Sequence, residues 1–401
     1  MTTMPDADAP TAETPALVFD CTELFNNPVE TGIQRVVRRL LRHWPASGPV
    51  LHAARFHPAH GLVRISGAAL EVLQETQDNK GGDALRATQA RLVALSPPQQ
   101  PSLPHAAPIL LPEVFWEMER TLFYRSLLRG GTRTVSMLAY DFIAFLEPTF
   151  FKIRSGAAHM DYLRLATEVT GLAFISDNTR REYLGRITRN AHAANAGPAL
   201  RLGSDGLRAP RQTWQRTRDA FVCIGTIERR KNQHLVVQAF QELWRAGSPA
   251  RLVLVGHCFA PVVPEWLTAA MEHPNFTWLE AASDDQVAET LKTARATIYA
   301  AECEGFGLPP VESLHVGVPV IASAYLPSLE GVDTKGQVRL QDMTVENLKA
   351  AVSSMLVDRT AGALWKQAAT LSLPSWDTFA EEVAAWCGHL PVPTRPADKE
   401  T

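Results

Sequence analysis

From residue 17 onward, short apolar runs alternate with longer segments whose apolar residues recur every three or four positions. This alternation constrains the fold more than any other feature. A strand that is apolar on both faces must be covered on both, and helices crossing between parallel strands do that. "ALVFD" runs into the polar loop "CTEL". The helix "GIQRVVRRLLRHW" follows, with Ile33, Val36, Val37, Leu40, Leu41 and Trp44 on one stripe, and Pro45 ends it. Strands are expected again at "PILLPEVFW", "RTVSMLAYDF" and "GLAFIS"; Ser176 or Asp177 caps the helix after the last of these. Residues 47 to 107 are less regular, and "SPPQQPSLPHAAP" reads as a surface connection.

The pattern restarts after the polar, glycine-containing stretch "RLGSDGLRAPRQTW", where a domain boundary is placed. "AFVCIGTI", "RLVLVGH", "FTWLE", "ATIYAA" and "PVIAS" are strands, and "NQHLVVQAFQELWRAG" is a helix. Two such α/β sheets imply two Rossmann-like domains, residues 17–205 and 206–372, facing across a cleft. A closing helix, "SWDTFAEEVAAWCGHL", lies within 373–391, between a first tail (1–16) and a last tail (392–401).

Composition removes several function classes. A net charge of −3 gives no general attraction to nucleic acid. The five cysteines are scattered without a C-x-x-C pair, so a reduced, cytoplasmic setting without zinc or disulfides is expected. The acidic, proline-punctuated start lacks the features of a secretory leader, and no apolar run reaches the ~20 residues of a membrane span. Asp6-Ala7-Asp8 forms a D-x-D pair, but a tail offers no rigid support for a metal, so no metal site is expected.

In open parallel sheets, ligands sit where strand ends lead into helices, and two such loops in the second half stand out. "GTIERRKNQ" begins with Gly225 and Thr226 and places Arg229, Arg230 and Lys231 before a helix that Asn232 could cap. Cations beside a helix start make a seat for a diphosphate, although a solvated basic turn would look the same. "AECEGFGLPPVESLHVGVP" sets Gly305 and Gly307 before a helix begun by Pro309 and stopped by Gly317. Glu304 precedes the loop, and Glu312 is expected in the first helical turn, where a carboxylate can grip vicinal hydroxyls. The dipole of the helix alone could account for Glu312, at ~0.3–1 kcal/mol, but not for the two glycines.

"EGFGLPPVE" resembles the E-x7-E signature of retaining glycosyltransferases, family 4 in particular, whose fold is the two-domain GT-B type. "TGIQRVVRRL", "YDFIAFLEPTFF", "ISDNTRREY", "GSD", "GTIERRKN" and "SWDTFAEE" are similar to further segments of that family. The style of "GTIERRKN" resembles mannosyl- and rhamnosyltransferases of surface polysaccharide synthesis. The resemblance implies that Glu312 holds the donor ribose, that Glu304 faces the donor sugar, and that amides of Phe306, Gly307 and Leu308 reach its hydroxyls or phosphates. Arg230 and Lys231 would neutralise the departing diphosphate, and Gly32 would let the first domain's loop close over it. Where relatives often carry His-Asp, this chain has Tyr140-Asp141; a Tyr hydroxyl can bind a sugar but is a poor base at neutral pH.

The expectation is a metal-independent transfer of a hexose from a nucleotide sugar, GDP preferred over UDP, to a glycan or lipid-linked acceptor. Arg35, Arg38, Arg39 and Arg42, opposite the apolar stripe of the first helix, would suit peripheral contact with the inner membrane face. A non-catalytic nucleotide-sugar binder and an epimerase of the same fold are the alternatives. An NAD-dependent oxidoreductase is disfavoured, because Pro310 stands where G-x-G-x-x-G needs its third glycine.

Overall fold

The computed structural model describes residues 15–29, 32–75, 82–97, 102–150, 153–207, 209–258, 260 and 262–391. Asp6, Asp8 and most of both tails lie outside them. The first sheet has seven strands: β1 (Ala16–Asp20), β2 (Val50–His57), β3 (Gly61–Arg64), β4 (Ile109–Leu111), β5 (Val135–Ala139), β6 (Gly171–Phe174) and β7 (Ala196–Ala199). Their order is β3-β2-β1-β4-β5-β6-β7, and every pair is parallel except β2 with β3. The second sheet holds β8 (Ala220–Ile224), β9 (Arg251–Val255), β10 (Phe276–Leu279), β11 (Ala294–Tyr299), β12 (Val320–Ser323) and β13 (Gln337–Leu340). It is wholly parallel in the order β10-β9-β8-β11-β12-β13. The strand order reverses beside β1 in the first sheet and beside β8 in the second, and the crevices at such switch points are where this architecture binds ligands.

Central strands are buried throughout, as in "VSMLA" of β5 and "ARATIY" of β11, because helices cover both faces. Residues 47 to 107 prove regular: β2, β3 and the helices Gly67–Gln74 and Gly82–Leu95 belong to the first domain. Their strands lie toward one edge of the sheet and tolerate His52, Arg55 and Arg64, which hides the apolar signal. The Trp376–Gly388 helix returns to the first domain, where Trp376, Phe379 and Val383 share a core with Val36, Val37 and Leu40.

The Gly32–His43 helix does not present a basic face. Arg38 is buried and donates to the carbonyls of Leu73, Glu75 and Val29; Arg42 donates to that of Gln74. Arg39 donates to the Gly206 carbonyl, and Arg35 pairs with Asp284 at 2.6 Å. The basis for expecting membrane contact through this helix therefore falls away. Among the described residues, no helix is long and apolar enough to cross a membrane.

Candidate active site

The two loops singled out above follow β8 and β11, neighbours at the switch point of the second sheet. Gly225 continues β8 with φ +139°, and its N–H donates to the Val255 carbonyl at 2.8 Å. Thr226 accepts from Lys231 Nζ at 3.0 Å and donates to Glu228 Oε1 at 2.5 Å. Arg230 bridges Glu228 Oε2 at 2.9 Å and Glu304 Oε1 at 2.8 Å, while Lys231 Nζ lies 3.7 Å from the same Glu304 oxygen. The Tyr299 hydroxyl donates to that oxygen at 2.8 Å. Thr226, Glu228, Arg230, Lys231 and Glu304 thus form one half-buried network, with Gly225 beside it. Burial alone would lower the Arg230 pKa and raise that of Glu228. Glu304 and Glu228 more than offset this at Arg230, and Arg230 and Lys231 do so at Glu228, so both groups are held charged.

Asn232 corrects one expectation. It precedes the Gln233–Arg245 helix in the left-handed region, at φ 53°, but its side chain donates to the Ala300 carbonyl at 3.2 Å and caps nothing.

In the second loop the glycines differ. Gly307 has φ +89°, which a residue with a Cβ rarely adopts, and a Cβ there would come into ordinary contact with Ser328, Tyr299 and Glu304. The amides of Phe306, Gly307 and Leu308 donate to no acceptor among the described residues, whereas Phe306 O accepts from Ser328 N at 2.9 Å. Gly305 does not admit a ligand. A Cβ there would overlap the Tyr140 carbonyl oxygen, and the Gly305 carbonyl accepts from Ser176 Oγ at 2.7 Å and Thr179 Oγ1 at 3.3 Å. It is the point where the second domain presses on the first. Ser176 also caps the following helix through Thr179 N, settling that choice against Asp177.

Glu312 lies in the second turn of the Leu308–His315 helix, not the first, because Leu308, Pro309 and Pro310 form the opening turn. It is 3% exposed, and Oε1 has no hydrogen-bond donor, with Arg35 Nη1 3.6 Å away. Burial raises its pKa above the ordinary value, Arg35 and Arg39 pulling the other way. Gly206 leaves room for that oxygen, since a Cβ there would push the Glu312 carboxylate aside. Gly32 opens the helix that carries Arg35; it is exposed, with nothing within 4 Å of an added Cβ.

Tyr140 departs from its expected role. Its hydroxyl is buried and donates to the Pro112 carbonyl at 2.7 Å, so it is committed to the first domain's own backbone. Asp141 accepts from Ile143 N at 3.0 Å and sits against Gly305.

Sequence reasoning missed a buried charged cluster at the switch point of the first sheet. Arg120 binds Asp20 at 2.7 Å, Glu113 at 3.2 Å and Glu23 at 3.3 Å, and Tyr124 donates to Asp20. Glu113 also accepts the amides of Glu23 at 2.7 Å and Leu24 at 2.8 Å. Burial, then a hydrogen bond with Glu117, pushes Glu23 up to about 8. The only signal was the acidic run around "FDCTE" and "LPEVFWEMER", split by 90 residues between Glu23 and Glu113.

Two parallel-sheet domains with a cationic loop at the second switch point define the GT-B architecture. Residues 209–371, within the second domain, match the family described as "Glycosyl transferases group 1". Among curated proteins, the serotype-specific mannosyltransferase WbdA of Escherichia coli is 37% identical over 106 residues, 25% of this chain and 13% of that protein. A second form is 30% identical over 177 residues, 39% of this chain and 22% of that protein. The chain thus spans less than a quarter of the length of these relatives. Among solved structures, sucrose-phosphate synthase from Thermosynechococcus elongatus superposes with TM-score 0.62 at 15% identity, covering 93% of this chain and 98% of that one. A trehalose-phosphate synthase from Burkholderia vietnamiensis gives 0.55 at 11% identity, covering 93% and 99%.

Proposed function

We propose that the chain is a retaining glycosyltransferase that moves a mannose- or rhamnose-type hexose from a nucleoside diphosphate, GDP in preference to UDP, to a saccharide or lipid-linked acceptor. The observation that carries this reading is the convergence of Arg230, Lys231 and the undonated amides of residues 306–308 around Glu304 at the switch point. In such a transfer the C1–O bond to the diphosphate breaks as the acceptor hydroxyl bonds C1, and the hydroxyl proton leaves on a diphosphate oxygen. Fixed cations and amides stabilise the charge on that leaving group without reorganising, and they suffice without a metal in this proposal. Glu312, whose Oε1 lacks a donor, is the group proposed to accept from a ribose. The WbdA similarity supports a mannose-type sugar. A cytoplasmic setting suits the free cysteines.

Calorimetric titration with GDP, UDP, ADP and NAD, without metal, tests the reading. GDP is expected to bind, and Glu312→Ala to weaken it by about 10- to 100-fold, the loss of a hydrogen bond to a charged group. Binding of NAD alone overturns it. GDP binding without hexose transfer from GDP-mannose or GDP-rhamnose would favour the non-catalytic binder.

A further inference from the structure

The first domain has its own switch point, between β1 and β4, and the function proposed above does not use it. A cavity of about 360 Å³ opens there, lined by Thr22 and Asn26 after β1, Phe56 at the end of β2, and Glu117 and Met118 after β4. These segments follow the carboxyl ends of parallel strands, the same edge from which Tyr140 and Asp141 meet Gly305 of the second domain. Neighbouring strands lie ~4.8 Å apart, so the end of β1, beside the cavity, is about 10 Å from the end of β5.

Between the two lie two aromatic side chains. Trp116 is 47% exposed, and its ring centroid lies 6.5 Å from that of Tyr162. Tyr162 is 3% exposed, and its hydroxyl has no hydrogen-bond partner. A buried hydroxyl left unpaired destabilises the fold unless something uses it. Burial, followed by the nearby Asp141 carboxylate, raises its pKa. An exposed indole offers a flat apolar face to sugar C–H groups, while carboxylates and a phenol take hydroxyl hydrogen bonds.

We propose that this edge is an acceptor track for an oligosaccharide of at least two neutral hexose residues. The reacting residue lies at Asp141 and Tyr162, Trp116 is the stacking platform, and a further residue occupies the cavity between Phe56 and Met118. The proposal rests on the transferase reading: a chain using this track extends an existing glycan and does not start one on a bare lipid. Asp141 orients the attacking hydroxyl, and Tyr162 is a positioning residue.

Binding of methyl α-mannoside, methyl α-rhamnoside and their α-linked trisaccharides, followed by saturation-transfer NMR and calorimetry, tests the track. At least one trisaccharide is expected to bind about tenfold tighter than its methyl glycoside, and Trp116→Ala to abolish that preference. Tyr162→Phe should leave the unfolding temperature equal or higher, since it deletes an unpaired oxygen, yet raise the trisaccharide KM several-fold with kcat little changed. Trisaccharides bound no tighter than the glycosides overturn the track, as does a preference that survives Trp116→Ala. GDP titration of the same protein keeps the two ideas apart. GDP binding with no trisaccharide preference sinks the track alone, whereas trisaccharide preference without GDP binding upholds the track and sinks the donor assignment.

Discussion

Glu304 Oε1 accepts from Arg230 and Tyr299 and has Lys231 3.7 Å away, so two donors and a nearby cation hold the carboxylate in one place. Removing Arg230 would leave Glu304 and Glu228 sharing the remaining cation. If Arg230 faces the leaving diphosphate, Arg230→Ala should lower kcat by about 100- to 1,000-fold, the usual cost of one charge-stabilising donor. Steady-state kinetics would show it; a change confined to KM would count against the assignment. Gly305 makes a separate prediction, because its added Cβ meets backbone, which cannot yield as a side chain can. Gly305→Ala should wedge the domains apart and depress turnover at least as strongly, while the far-UV spectrum stays native. Identical kinetics in the variant would show that this contact is dispensable. At Gly307 the backbone itself requires a glycine, since the residue enters a helix at φ +89°. The reason for Gly305 was not legible in the sequence, because its constraint comes from Tyr140, 165 positions away. Tyr140 shows the same limit: its type suggested a sugar contact, and only the fold shows the hydroxyl committed to Pro112.

Among the elements, the Gly32–His43 helix shows how a correct helix can carry a wrong surface. Its apolar stripe was readable from spacing. The destination of its arginines was not, because Arg38 enters a pocket built by residues 47 to 107, where the strand pattern was hidden. Arg38→Ala would strip the carbonyls of Leu73, Glu75 and Val29 of a charged donor, at a cost of about 1–3 kcal/mol, measurable by urea denaturation. No change in midpoint would mean that water replaces the guanidinium. The short segment after β1 makes a pH prediction. Glu23 ordinarily titrates at 4.5 and is raised to about 8 in the fold, so the folded state keeps a proton that the unfolded chain releases. The stability this gives is complete below pH 4.5 and is lost as pH rises toward 8. Glu23→Gln, which cannot ionise, should flatten that part of the melting-temperature profile. A profile unchanged by the substitution would place the titration elsewhere.

At the scale of the molecule, the chain crosses between the domains twice, and the crossings run side by side. Ser204 donates its N–H and its hydroxyl to the Pro374 carbonyl, both at 2.8 Å, and Asp205 accepts from Trp376 N at 2.8 Å. The first crossing was visible as a polar, glycine-bearing stretch, and the closing helix as an apolar period. Nothing in either sequence said that they pair. Elsewhere the domains meet through apolar packing, since Tyr299, Phe306, Val311 and Leu314 of the second share a buried core with Val36, Leu40 and Tyr140 of the first, and through polar contacts such as Arg181 with Glu330 at 2.8 Å, an exposed pair that contributes little. The paired crossing is where the backbone joins the two domains, so any opening of the cleft has to pivot there. Gly203 makes the pairing close, since a Cβ there would overlap the backbone nitrogen of Trp376. Gly203→Ala should force the crossings apart at a cost of about 1–3 kcal/mol, with neither sheet disturbed. Because the Trp376–Gly388 helix packs in the apolar core that both domains share, that loosening should weaken the coupling between them. Scanning calorimetry would then resolve two transitions where the native protein gives one. A single endotherm at the native temperature would show that the crossing does not carry the coupling, and that the cleft contacts at Gly305 and Arg35 do.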